Sequence, residues 1–270
     1  YNNVKIRNLK NQKSEITQVK GLPKNPKLSN ISWSPDQKRI ALTNTTETGV
    51  ELWVLELENG SVTKLTESNL NSNIGSVINW FSDSENMLVK MISNNRRPLI
   101  DTNKIVPDGP TISTNFGEKA QNRTYQDLLK NKFDEHNFEQ LSTSMIYKVS
   151  IDGSVKKWMD DGMYRTISFS PNGEYVMISQ INKPFSYLVT YSRFPTETNI
   201  YNKDGDFVSN LQKVPLIEEL PKGFMSVRTG KRSFSWRPDK GASLTYVTAL
   251  DSGDPSKKVD FRDEVYELNY

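Results

Sequence analysis

Two short segments concentrate the side chains that could recognise a ligand. They are Phe185-Ser186-Tyr187-Leu188-Val189-Thr190-Tyr191-Ser192-Arg193-Phe194-Pro195 and Phe224-Met225-Ser226-Val227-Arg228-Thr229-Gly230-Lys231-Arg232, both rich in aromatics and arginine. A guanidinium presents a planar fork of donors that matches a carboxylate through two parallel hydrogen bonds. Arg193, Arg228 and Arg232, with Tyr187 beside them, are therefore candidates for contact with a peptide or acidic side chain. A purely structural role, bridging neighbouring elements of the fold, is open to each of them.

Other chemistry is scarce. His136 is the only histidine, so a Ser-His-Asp triad would have to use it. No Gly-x-Ser-x-Gly elbow and no Gly-rich phosphate loop occurs. There is no cysteine, which removes disulfides, Cys-ligated zinc and thiol catalysis. The adjacent acids Asp134-Glu135, Asp160-Asp161 and Glu218-Glu219 read as solvated loop residues. Residues Tyr125 to Phe138 predict a short helix and a loop, with His136 in solvent. No catalytic residue, metal ligand set or cofactor site is expected.

The elements that must position the arginines are repeated. Trp33-Ser34-Pro35-Asp36, Trp80-Phe81-Ser82-Asp83, Phe169-Ser170-Pro171-Asn172 and Trp236-Arg237-Pro238-Asp239 each follow one β-type run and precede another. Ser, Pro, Asn and Gly in 170–173 are the residues that a type I turn favours at its four positions. A second hairpin follows in three copies, around Asn59-Gly60, Asp152-Gly153 and Asp204-Gly205. Two hairpins make a four-stranded antiparallel meander, the blade of a β-propeller. The runs are apolar on both faces (Leu52 and Val54 against Trp53 and Leu55), which suits sheets sandwiched between neighbouring sheets.

The openers at 33, 80, 169 and 236 are unequally spaced, whereas a plain blade takes roughly 40–50 residues. The spacing divides a single partial propeller over 1–270. Residues 1–28 end an earlier blade, 29–76 form a blade, and 77–160 form a blade with an insertion at 94–143. Residues 161–232 form a blade with long loops, and 233–270 a partial blade. The expected fold is all-β, an incomplete ring with one partly helical insertion.

The formal charge is +3, with Lys and Arg scattered among acids, so no footprint for nucleic acid is read. No run approaches the roughly 20 apolar residues of a membrane span. Open blade edges leave unpaired backbone groups and a route to oligomers.

Several longer phrases resemble the prolyl oligopeptidase family of serine peptidases, and most of all its glutamyl endopeptidase branch. They are Pro107-Asp108-Gly109-Pro110, Arg123-Thr124-Tyr125-Gln126-Asp127-Leu128-Leu129, Lys183-Pro184-Phe185-Ser186-Tyr187, Arg193-Phe194-Pro195 and Ser226-Val227-Arg228-Thr229-Gly230-Lys231-Arg232. Pro215-Leu216, Leu220-Pro221, Asp251-Ser252-Gly253-Asp254 and Arg262-Asp263-Glu264-Val265-Tyr266 continue the likeness. The resemblance implies an N-terminal propeller followed by an α/β-hydrolase domain that carries the catalytic Ser, Asp and His. It implies cleavage after an acidic residue, preferentially Glu, through an acyl-enzyme.

On that footing this chain is a non-catalytic propeller segment that gates the active site and docks peptide substrate or the hydrolase domain of the same polypeptide. Bacterial relatives are commonly exported, which sets a periplasmic expectation. The alternative from another class is a free-standing propeller used as a protein-interaction scaffold.

Overall fold

A run of β-formers ending in an aromatic residue, then a turn, opens each repeat, and the computed structural model shows what the pattern builds. It describes residues 1–7, 16–101, 104 and 125–270; the phrases at 107–110 and 123–124, and part of the 94–143 insertion, lie outside the described residues. β1 (Lys5–Ile6) and β2 (Thr17–Gln18) pair antiparallel. β3 (Leu28–Trp33), β4 (Arg39–Thr45), β5 (Val50–Glu56) and β6 (Val62–Lys64) form a four-stranded sheet in chain order.

β7 (Ile78–Trp80), β8 (Asn86–Ile92), β9 (Ser144–Ser150), β10 (Val155–Phe169), β11 (Tyr175–Ile181), β12 (Thr196–Asn202) and β13 (Phe207–Val214) are hydrogen-bonded in sequence. Helix α1 (Lys132–Ser142) lies between β8 and β9, and β14 (Arg232–Trp236), β15 (Ser243–Ala249) and β16 (Asp263–Asn269) form a three-stranded sheet.

The seven strands are two blades joined within β10. Its first half pairs with β9 as far as Gly162 opposite Ser144, and its second half pairs with β11 from Met163 opposite Ile181. Ser144 and Ile181 lie at the same end of their blades, so the chain reverses at Gly162. Tyr164 folds back there, its ring where a Cβ on residue 162 would stand and its hydroxyl donating to the Asp160 carbonyl at 2.6 Å.

The turns behave as their residues dictate. Gly173 donates its N–H to the Ser170 carbonyl at 2.8 Å, and Ser170 Oγ accepts the Tyr175 N–H at 3.0 Å. Gln37 and Ser34 repeat the first bond at 2.9 Å, and Arg39 and Ser34 the second at 2.9 Å. The fourth turn position has positive φ in three repeats: 59° at Gln37, 61° at Ser84 and 75° at Gly173.

These turns also join consecutive blades. The Asp36 N–H donates to Ser84 Oγ at 3.0 Å, and the Asn172 N–H to the Gly241 carbonyl at 2.9 Å. The aromatic openers face backwards onto the preceding blade. The Trp80 indole donates to the Ser32 carbonyl and the Trp236 indole to the Ser168 carbonyl, both at 3.2 Å.

Apolar residues on both faces of each strand make the core a series of layers. Ala41, Leu52 and Val54 of the first blade pack with Trp80, Met87 and Val89 of the second. Leu88 and Ile146 pack across to Tyr164, Val176 and Ile178 of the third. Met177, Ile200 and Leu211 then meet Leu244, Trp236 and Leu268. The back of the first blade packs Ile40, Leu42, Trp53 and Leu55 against Val4, Ile6, Val19 and Leu22.

One polar residue interrupts the second layer. Lys90 is buried, and among the described residues its ammonium reaches only backbone carbonyls, of Ile74 and, at 3.5 Å, of Tyr164. Burial pushes its pKa down to about 8.

Because successive strands are antiparallel, their connections alternate between two rims. The tight turns occupy one. Residues 46–49, 93–101, 125–143, 182–195 and 250–262, with the links 65–77 and 215–231, occupy the other. All four candidate side chains therefore belong to the long-loop rim.

Candidate functional site

α1 builds one side of this rim. Asn131 caps it by accepting the N–H groups of Phe133 and Asp134, each at 2.9 Å, and Asp134 and Glu135 place negative charge in the first turn. Phe138 packs against Phe185 and Phe194, at centroid distances of 5.1 and 5.6 Å. Lys183 pairs with Glu139 at 2.7 Å, and Tyr187 donates its hydroxyl to Glu135 Oε1 at 2.7 Å.

Burial raises the Glu135 carboxyl, but hydrogen bonds from Tyr187 and Lys132 outweigh it and hold its pKa below the ordinary value. Burial first, and then the Glu135 carboxylate, push the Tyr187 phenol up to about 12. His136, expected in solvent, is half-buried, with Nε2 at 3.0 Å from the Pro98 carbonyl. The reason is local: α1 lays this face along 98–100, where Asn137 also bonds both backbone groups of Ile100 at 2.8 Å.

Arg193 closes a short 3-10 turn, Tyr191–Arg193. Its guanidinium lies over the Tyr125 ring at 5.4 Å, and its carbonyl accepts the Ile217 N–H at 3.0 Å. It is half-buried between the 182–195 loop and the insertion.

Arg228 stands in the 215–231 link, against a cleft of about 570 Å³ whose walls include Val214, Leu216, Leu220, Val227 and Lys231. The guanidinium donates to Gln212 Oε1 at 2.8 Å, to the Thr229 carbonyl at 3.0 Å and to the Lys231 carbonyl. All three acceptors are neutral. Burial first, and the nearby Arg232 charge second, hold its pKa below the ordinary guanidinium range. Arg232 is neutralised by an ion pair with Asp263.

The structure thus brings Arg228 and Arg232 together and places Tyr187 and Arg193 on the neighbouring loop, packed on the insertion. Contacts between the groups include the Ile217 N–H to the Arg193 carbonyl and Ser186 Oγ to Glu218 Oε1 at 2.6 Å. The supports behind Arg228 have no local signal in the sequence. Arg262 Nε donates to the buried Asp251 carboxylate at 2.7 Å and Nη2 to the Met225 carbonyl at 3.0 Å, while the Val227 N–H meets the Gly253 carbonyl at 3.1 Å. The phrase Asp251-Ser252-Gly253-Asp254 signals a turn, but its partners are remote in sequence.

Among the described residues no three His, Cys, Asp or Glu side chains gather as metal ligands, and no helix is long and apolar enough to cross a membrane.

Sequential antiparallel blades, packed face to face and stapled by their openers, define a β-propeller. No protein-family model matches the chain. It is 34% identical over 261 residues to the "Probable glutamyl endopeptidase, chloroplastic" of Oryza sativa subsp. japonica, covering 93% of this chain and 28% of that protein. The protein of the same name from Arabidopsis thaliana is 33% identical, with 92% and 26% covered. Pyrococcus horikoshii acylaminoacyl peptidase is a structural neighbour at 17% identity and TM-score 0.46, with 97% of this chain and 32% of that one covered.

Over nearly its whole length this chain is similar to glutamyl endopeptidases, the branch of the prolyl oligopeptidase family that its motifs resemble. It spans about a quarter of the length of the curated relatives it matches.

Proposed function

We propose that this chain is the non-catalytic propeller of a serine peptidase that cleaves peptides after acidic residues. Its long-loop rim faces the catalytic α/β-hydrolase domain of the same polypeptide and limits which peptides pass. Arg228 carries the reading. It is a half-buried cation with three neutral acceptors, on the wall of a cleft large enough for a side chain. A carboxylate entering the cleft would complete its charge, at a strength of roughly 1.5–3 kcal/mol for a charged hydrogen bond. Arg232 is already paired with Asp263, so the carboxylate is left to Arg228.

Tyr187 and Arg193 fasten the insertion to the rim and so shape the entrance. The rim also exposes Phe224, Met225, Leu250 and Phe261, apolar surface that suits a packed domain. The test is made on the full-length enzyme with paired peptides carrying Glu or Gln at the cleavage site. Arg228→Ala is expected to raise KM for the Glu peptide roughly tenfold or more, with little change for Gln, and Arg228→Lys to recover part of the difference. An unchanged Glu-to-Gln ratio overturns the assignment.

A further inference from the structure

Gln212 is the side-chain acceptor behind Arg228, and its own surroundings fix which end it presents. It lies in β13 directly opposite Thr198 of β12. Its Oε1 accepts the Arg228 guanidinium at 2.8 Å, and its Nε2 donates to Thr198 Oγ1 at 3.5 Å. Thr198 is buried and gives its own proton to Ser179 Oγ at 3.2 Å, so it meets Gln212 as an acceptor. A guanidinium only donates, and Thr198 here accepts. The amide therefore has one favourable orientation, oxygen to Arg228 and nitrogen to Thr198.

An amide oxygen shares a hydrogen bond but leaves the positive charge of its partner uncompensated, which a carboxylate would not. Among the described residues no carboxylate pairs with Arg228, and acids on the elements around it have other partners. Glu197, next to Thr198 on β12, pairs with Lys213 at 3.3 Å. Asp263 pairs with Arg232, Asp251 with Arg262 at 2.7 Å, and Glu218 accepts Ser186 Oγ at 2.6 Å. A glutamate at position 212 would have the same length as glutamine and would end the need for a ligand. The chain carries the neutral residue where the charged one would fit.

We propose that Gln212 is the positioning residue that sets the charge preference of the cleft: it holds Arg228 without neutralising it, so that the guanidinium stays available to the carboxylate of an acidic peptide. Thr198 acts one step further back, by orienting the amide. The inference rests on the reading of Arg228 given above, and adds what keeps that arginine receptive.

The experiment uses the full-length enzyme and paired peptides carrying Glu or Gln at the cleavage site. Gln212→Glu is expected to pair internally with Arg228. It should raise KM for the Glu peptide about tenfold more than for the Gln peptide, the change falling in KM rather than in kcat. Adding Arg228→Ala to that variant should move the Glu-to-Gln ratio no further. Gln212→Met removes the hold without adding charge, and Thr198→Val removes the acceptor behind the amide. Each is expected to lower the preference for Glu about threefold.

A ratio unchanged in Gln212→Glu, where Arg228→Ala alone abolishes it, overturns the role of Gln212 and leaves the reading of Arg228 standing. A ratio unchanged in Arg228→Ala as well removes that reading, and this inference with it. Losses of equal size in the Met and Glu variants, the same for both peptides, would make Gln212 a purely structural residue and also overturn the proposal.

Discussion

The Val227 N–H donates to the Gly253 carbonyl at 3.1 Å, across the gap between the link that carries Arg228 and the β15–β16 connection. Gly253 has φ +78°, and a Cβ there would run into the Val227 carbonyl. Arg228 is therefore held in place by a residue that must lack a side chain. Gly253→Ala is expected to destabilise the protein by about 1–3 kcal/mol through strain at this contact. It should also shift KM for a Glu peptide in the direction of Arg228→Ala. Denaturant unfolding and peptide kinetics check the two effects separately.

The Tyr187–Glu135 hydrogen bond should behave as a latch between the 182–195 loop and α1. A double-mutant cycle of Tyr187→Phe with Glu135→Gln is expected to give a coupling of about 0.5–1.5 kcal/mol. Glu135 has a lowered folded pKa, so its contribution is present above the ordinary Glu value and is lost as pH falls through the lowered one. Hydrogen exchange of the α1 amides should accelerate over that acidic window in the wild type. The Glu135→Gln variant should lack this acid-dependent component.

Lys90 predicts a slope of the same sign in an alkaline window. Its folded pKa of about 8 lies below the unfolded 10.5. Below pH 8 the ammonium is charged in both states, and its burial penalty is fully present. Between pH 8 and 10.5 the unfolded chain holds more protons, so stability rises with pH. The gap corresponds to about 3 kcal/mol over the window. Lys90→Met should flatten that rise in unfolding curves, while leaving the Ile74 carbonyl without its donor offsets part of the gain at neutral pH.

The fourth turn position gives a matched pair. Gln37 and Ser84 both hold positive φ, which favours glycine. Gln37→Gly is expected to stabilise by about 1 kcal/mol or less. Ser84→Gly should gain less or lose, because Ser84 Oγ accepts the Asp36 N–H from the neighbouring blade. Thermal unfolding of the two variants side by side decides it.

The blades were legible because their signals are local. Ser170-Pro171-Asn172-Gly173 makes its turn from its own residues, and Leu52 against Trp53 announces burial on two faces. What sequence could not show is set by partners far along the chain. Arg232 is neutralised by Asp263, Arg228 is held by Gln212, and Arg193 stacks on Tyr125. Three arginines that look alike in two loops therefore play different parts. Lys90 was equally hidden, since one lysine in the apolar run Asn86–Ile92 reads as a solvent-facing residue of an edge. At Gly162, where β10 reverses, the conformation depends on the Tyr164 ring folding back over it, a contact that the pair Asp161-Gly162 does not announce.

That reversal bears on how the molecule can breathe. The second and third blades pass the chain directly from Gly162 to Met163, whereas the first and second are joined by 65–77 and the third and last by 215–231. Two blades tied without slack move as one plate, and the seams able to part are those with chain to spare. One of these seams is the 215–231 link itself, so any parting of the stack there would deform the walls around Arg228 first.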